Sequence, residues 1–174
     1  MLGKENVKNA LDTFGFNLKK QSRANLTRKG VRDTNKLYES LEYETKVSKN
    51  SIEFDFLMSE HGLYQDKGVR GAGGVRKTTS KFNRRNNKGK LWKIKAKDSP
   101  YRFREKKPPL SALSGWAKSR GLNPYAVREA VYRQGIEPTY FFTRAVETQL
   151  PKLIDNLGKD YGDDLENFIN ITVK

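Results

Sequence analysis

The sequence has no cysteine among its 174 residues and a single histidine, His61. The first absence excludes a disulfide framework, a zinc finger and a thiol nucleophile, and the second leaves no histidine-rich metal site. No run of about 18 apolar residues is present to span a membrane. The polar opening Met1-Leu2-Gly3-Lys4-Glu5-Asn6 predicts no secretory signal. Acidic residues are scarce too: 20 Asp and Glu stand against 35 Lys and Arg, a net charge of +15. Hydrophobic residues, at 35%, are few for a globular domain, but aromatics at 11% argue against a disordered chain. These values predict a single soluble domain over residues 1–174, made in a reducing cytoplasm.

The excess charge is concentrated. Between Lys67 and Lys107 sixteen Lys and Arg face only Asp98 and Glu105, so 41 residues hold +14. The other 133 residues hold 19 basic against 18 acidic. This segment has five glycines, Gly68, Gly71, Gly73, Gly74 and Gly89, and few aliphatic side chains. It reads as a long basic loop, flexible at least over Gly71–Asn87, because it cannot bury enough apolar surface to order itself. Two readings stay open: a solvated linker, or a contact for a polyanion, with nucleic-acid phosphate the commonest partner for so many cations. Phe82, Trp92, Tyr101 and Phe103 lie among the cations and are placed to stack on bases.

The rest of the chain carries periodic patterns. Val7, Leu11, Phe14 and Leu18 mark one face of a helix over Lys4–Ala24, slightly weakened by Gly15. Leu41, Tyr43, Thr45 and Val47, then Ile52, Phe54, Phe56 and Met58, alternate with mostly polar residues. With the turn Ser48-Lys49-Asn50-Ser51 they predict a β-hairpin. Pro108-Pro109 opens a helix through Arg120, stopped by Gly121. Asn123 caps the next helix, with Pro124 at its first position and Gly135 at its end. A third helix from about Tyr140 would carry Leu150, Ile154, Leu157, Tyr161, Leu165 and Phe168 inward, with Pro151 kinking or splitting it. Alternation over Ile169–Val173 predicts a third strand completing a small antiparallel sheet. The fold class is therefore α+β.

No complete catalytic pattern stands against this background. Gly71–Thr78 reads G-A-G-G-V-R-K-T, but Arg76 stands where both the phosphate-loop and the dinucleotide patterns need glycine. His61, at the end of the second strand, reads as a surface or packing residue. Asp55, Asp98 and Glu105 are the nearest approach to a nuclease carboxylate set, but two of them fall in the basic loop. No serine sits in a nucleophile elbow. No enzyme activity, cofactor or metal is expected.

Several short motifs carry more information in combination. Gln21-Ser22-Arg23-Ala24-Asn25-Leu26 comes early. Tyr64-Gln65-Asp66-Lys67-Gly68 follows the hairpin, then Ser99-Pro100-Tyr101, Lys107-Pro108-Pro109 leading to Trp116, and Gly135-Ile136-Glu137-Pro138 before Phe141-Phe142. In this order, over roughly residues 4–168, they resemble the tail-completion or neck protein family of tailed bacteriophages. The basic Gly71–Lys97 stretch is longer and more charged than that family suggests. The resemblance implies a structural virion protein without catalysis. It implies a ring, six copies favoured and twelve the other arrangement, between the head connector or adaptor and the tail tube or terminator, lining the DNA channel. It also implies subunit or partner contacts at Tyr64, Asp66, Gly68, Pro138, Phe141 and Phe142. For Pro138, Phe141 and Phe142 a packing corner is the competing reading, and for Tyr64 and Asp66 a folding turn. Gly68 is expected in a left-handed backbone conformation. The basic segment supplies the cations for genomic DNA or an acidic protein surface: Arg70, Arg76, Lys77, Lys81, Arg84, Arg85, Lys88, Lys90, Lys93 and Lys95. The alternative is a free-standing, sequence-independent nucleic-acid-binding protein using the same cations.

Overall fold

The computed structural model describes residues 4–30, 35–48, 51–76, 90–161 and 170–173. The chain divides into two compact units, residues 1–62 with 140–174 and residues 63–139. The expected mixture of helices and strands is present in the α+β chain.

In the first unit, α1 (Lys4–Arg28) buries Val7, Leu11, Phe14 and Leu18, the stripe their spacing sets. The helix runs four residues beyond Ala24 because Ser22 and Leu26 continue the stripe at intervals of four, and both are buried. Gly15 has a packing role. A Cβ there would lie 2.4 Å from the Tyr43 ring and 2.8 Å from the Phe54 ring, so the hairpin aromatics rest directly on bare helix backbone. A short turn of helix, α2 (Lys36–Glu39), precedes the hairpin.

The hairpin is β1 (Glu42–Val47) and β2 (Ile52–Leu57), antiparallel, with Tyr43 opposite Phe56 and Thr45 opposite Phe54. Phe54 meets Phe14 edge-on at 5.3 Å between centroids, and Phe56 lies 4.9 Å from Phe142. Asp55 points to the other face of β2 yet is only 3% exposed. It accepts a hydrogen bond from Lys46 Nζ at 3.0 Å, and that bond, with a second to Glu44, holds the Lys46 ammonium above its ordinary pKa.

The third strand, β7 (Asn170–Val173), pairs with β2, giving the order β1-β2-β7. It runs parallel to β2, so the sheet is mixed and not antiparallel throughout. Alternation marks a strand but is blind to its direction. Direction depends on the path of the chain, and a parallel neighbour needs a long crossover, here everything between Leu57 and Asn170.

α6 (Thr143–Tyr161) packs on α1 and continues through Pro151 without being split. Pro151 is on the exposed side, while Ala145, Leu153 and Leu157 are buried on the other and hold the helix across the lost backbone bond. Ile154, expected inward, is 49% exposed and Leu153 takes its place. Leu165 and Phe168 lie outside the described residues. Phe141 and Phe142, just before α6, are buried in the same hydrophobic cluster as Leu11, Leu18 and Phe56.

The second unit is entered through α3 (His61–Lys67), so His61 opens a helix and is exposed, where a strand end was expected. It continues with β3 (Val69–Arg70), β4 (Val75–Arg76), β5 (Lys90–Leu91), α4 (Ser111–Lys118), α5 (Pro124–Gln134) and β6 (Gly135–Ile136). β3 pairs antiparallel with β6, and β4 with β5. Asn123 Oδ1 accepts from the Tyr125 amide at 2.9 Å, Pro124 is first in α5, and Gly135, at φ 91°, ends it. α4 is shorter than expected at both ends: it begins only at Ser111 and stops at Lys118, where the Gly121 and Leu122 amides donate to Lys118 O and Ala117 O at 3.0 and 2.8 Å.

Candidate functional site in the basic unit

Three of the motifs, far apart in sequence, meet around Gly68. Its φ is +72°, the left-handed conformation expected of it. A Cβ there would lie 2.6 Å from Ile136 O, 2.8 Å from Pro138 N and 2.9 Å from Ala96 Cβ, so only glycine lets these backbones approach. Ser99 Oγ donates to Gly68 O at 2.7 Å and accepts from the Tyr101 amide at 3.1 Å. Thr139 donates from its amide and its hydroxyl to Gln65 O at 3.1 and 2.8 Å. The Tyr64 and Tyr101 rings meet edge-on at 4.7 Å, with Tyr64 half exposed. Asp66 is fully buried here, with Lys67 Nζ 3.9 Å from its carboxylate.

Of the stretch expected to be flexible, residues 71–76 are described and are tied down by hydrogen bonds, while residues 77–87 lie outside the described residues. The last carbonyls of α5 have no partner within the helix. Three amides from elsewhere satisfy them: Ala72 to Tyr132 O at 2.9 Å, Gly73 to Arg133 O at 2.9 Å and Lys95 to Gln134 O at 2.7 Å. A Cβ on Gly71 would fall 2.2 Å from Arg133 O. Arg133 closes the arrangement by donating to Gly73 O at 3.2 Å. The glycine run is therefore a backbone cap on a helix C-terminus. It is ordered because hydrogen bonds, not apolar burial, hold it. Its amides at Ala72 and Gly73 are committed to carbonyls and cannot cradle a phosphate.

A third strand-like segment lies beside β3. The Arg70 amide donates to Tyr101 O at 2.8 Å and the Phe103 amide donates to Arg70 O at 3.0 Å, pairing Arg70 with Arg102. Tyr101 and Phe103 alternate with Arg102 and Arg104. The aromatics are half buried, Tyr101 against Tyr64 and Phe103 against Tyr132, and the arginines are exposed. Tyr132 also donates its hydroxyl to Arg104 O at 2.7 Å. Glu129 binds Lys107 and Arg133 together, and these two hold its carboxyl below the ordinary value, Lys107 most strongly.

The expected contact residues have different fates. Arg70, Lys93 and Lys95 are exposed, and Lys95 lies 3.5 Å from Glu137. Arg76 and Lys90 are paired in register across β4 and β5. Lys77, Lys81, Arg84, Arg85, Lys88 and Phe82 lie outside the described residues. Tyr64, Asp66, Gly68 and Pro138 belong to the junction around Gly68. Phe141 and Phe142 do not join a contact surface: both are buried in the first unit's core, the packing corner that was the competing reading. Arg102 and Arg104 join this face although they are not among the expected contact residues; the aromatic–cation alternation over Tyr101–Arg104 is a strand signal that marks them.

The first unit offers an open groove of about 700 Å³ lined by Phe16, Lys19, Lys20, Arg23, Tyr38 and Tyr43 among others. Its charge is largely spent internally, since Lys19 and Arg23 both pair with Glu42 and Arg23 also stacks over Tyr38 at 4.9 Å. Among the described residues there is no group of three or more potential metal ligands, and no helix is long and apolar enough to cross a membrane. Comparison with family models, curated proteins and solved structures returns no match.

Proposed function

We propose that the chain is a structural, non-enzymatic virion protein of the neck or tail-completion type. It assembles as a ring, six copies favoured, that joins a tail to the head connector, and its basic unit meets the DNA passing through. The observation that carries this reading is the convergence of its motifs. The Tyr64–Gly68, Ser99–Tyr101 and Gly135–Pro138 segments, on which the resemblance rests, close on one another around Gly68. Short motifs matched by chance carry no expectation that they touch.

The charge distribution adds support. Residues 63–139 hold 20 Lys and Arg against 5 Asp and Glu, which leaves 15 against 15 in the first unit. A neutral unit packs beside copies of itself without repulsion, and a basic one attracts phosphates regardless of sequence. A free-standing nucleic-acid-binding protein is the second reading, favoured by Arg70, Arg102 and Arg104, which form no ion pair among the described residues. Light scattering of the purified chain, alone and with a head connector, at low and high salt, separates the two. The first reading expects a discrete multimer near six or twelve copies that survives high salt in at least one mixture. A monomer in every mixture overturns it.

A further inference from the structure

Arg70 and Arg102 are paired across neighbouring extended segments, which puts their side chains on one face of the pleat. Like charges directly opposite each other are unfavourable. Two residues on, Arg104 returns to the side of Arg102, and all three are exposed. Among the described residues none of the three makes an ion pair. Of the five acids of this unit, Asp66 pairs with Lys67, Glu129 with Lys107 and Arg133, and Glu137 with Lys95; Asp98 and Glu105, the latter next to Arg104 in sequence, form no ion pair with the three arginines. The backbone beneath is fixed by the hydrogen bonds at Arg70 and the aromatic contacts of Tyr101 and Phe103. A backbone that sets three exposed arginines along one face, none of them ion-paired among the described residues, is complementary to an anion, and the planar fork of arginine matches phosphate oxygens.

We propose that Arg70, Arg102 and Arg104 form a binding strip for the phosphate backbone of duplex DNA. The proposal rests on the reading of the second unit as the DNA-facing part, and it places the contact on the ordered scaffold. Stacking on bases, the mode suited to single strands, needs free aromatic faces. Tyr101 and Phe103 are instead packed against Tyr64 and Tyr132 under the arginines. The contact is therefore to backbone phosphates and indifferent to sequence.

The test is a titration of a short fluorescent duplex against salt, using the full chain and the triple variant Arg70→Gln, Arg102→Gln, Arg104→Gln. The wild type should bind two unrelated sequences alike. The triple variant should lose affinity on the order of tenfold or more, and its dependence of log affinity on log salt should become shallower by about two to three. Its thermal midpoint should hold or rise, since a like-charge pair has been removed. If the wild type binds but the folded triple variant is unchanged, the strip is wrong and the DNA-facing reading stands. If the wild type binds no duplex, or binds poly-glutamate as strongly in place of DNA, both fall. Should the triple variant misfold, Arg102→Lys decides: it keeps the charge and loses the fork, so the salt slope should stay and affinity should fall several-fold. Equal affinity would overturn the role of the guanidinium.

Discussion

Residues 1–62 with 140–174 are held together differently from residues 63–139. The first unit buries a contiguous set of large apolar side chains, with Leu11, Leu18, Phe54, Phe56 and Phe141 almost wholly inaccessible, and its charges balance at 15 of each sign. In the second unit Val69 and Ala117 are the buried hydrophobics among the described residues, and α5 buries no residue fully. It is held instead by backbone hydrogen bonds, aromatic pairs and glycines that let backbones touch, while 20 cations against 5 acids repel one another. The first unit is organised chiefly by the burial of these apolar side chains. On the proposed reading, the second should gain stability when a polyanion neutralises it.

This contrast can be broken at either side. Phe56→Ala should cost about 3–5 kcal/mol and unfold the first unit at a lower denaturant concentration, read by hydrogen exchange at the amides of β2. Saturating duplex should act on the other unit. At about 100 times the dissociation constant, linkage adds roughly 2.7 kcal/mol of protection to the second unit's amides, with little change in α1. Gly135→Ala should cost about 1–3 kcal/mol, because the residue has positive φ and its Cβ would sit 2.1 Å from Val69 O. Protection at Ala72, Gly73 and Lys95 should then fall while β2 is unaffected.

Two smaller effects sharpen the picture of the second unit. Asn123→Ala removes the cap of α5 and should lower stability by about 1 kcal/mol. Glu129→Gln should cost only about 0.2–1 kcal/mol, since the pair with Lys107 and Arg133 is substantially exposed. Because the Glu129 carboxyl titrates below its ordinary value in the folded chain, its contribution is complete above the unfolded pKa and is lost as pH falls through the folded one. An acid titration of thermal stability should show the wild-type advantage over Glu129→Gln shrinking once the pH falls below the ordinary glutamate value of about 4.3.

The two units also differed in how far they could be read in advance. Val7, Leu11, Phe14 and Leu18 declare α1 by spacing, the Phe54–Phe56 alternation declares the hairpin, and Asn123-Pro124 with Gly135 brackets α5. Each is a side-chain signal. The docking of Gly71–Gly74 on the end of α5 is made by amides and carbonyls, which every residue has, so the sequence showed only a glycine-rich basic run. The same blindness hid Gly15, whose value lies in the rings it admits. At Pro151 the expected split does not occur, because the propensity of one exposed residue yields to the packing of Leu153 and Leu157. At the candidate site Gly68 was legible. Arg70 and Arg102 as a pair were not, since they lie 32 positions apart and meet only through backbone pairing.

The most direct test of the division of labour is the salt dependence of duplex binding by the full chain when cations are removed from one unit at a time. Replacing Lys19 and Lys20 in the first unit by Gln should leave the slope of log affinity against log salt where it was. Replacing Arg102 and Arg104 in the second should make it shallower by about two. A slope that falls with the first pair and ignores the second would contradict the assignment of DNA contact to residues 63–139.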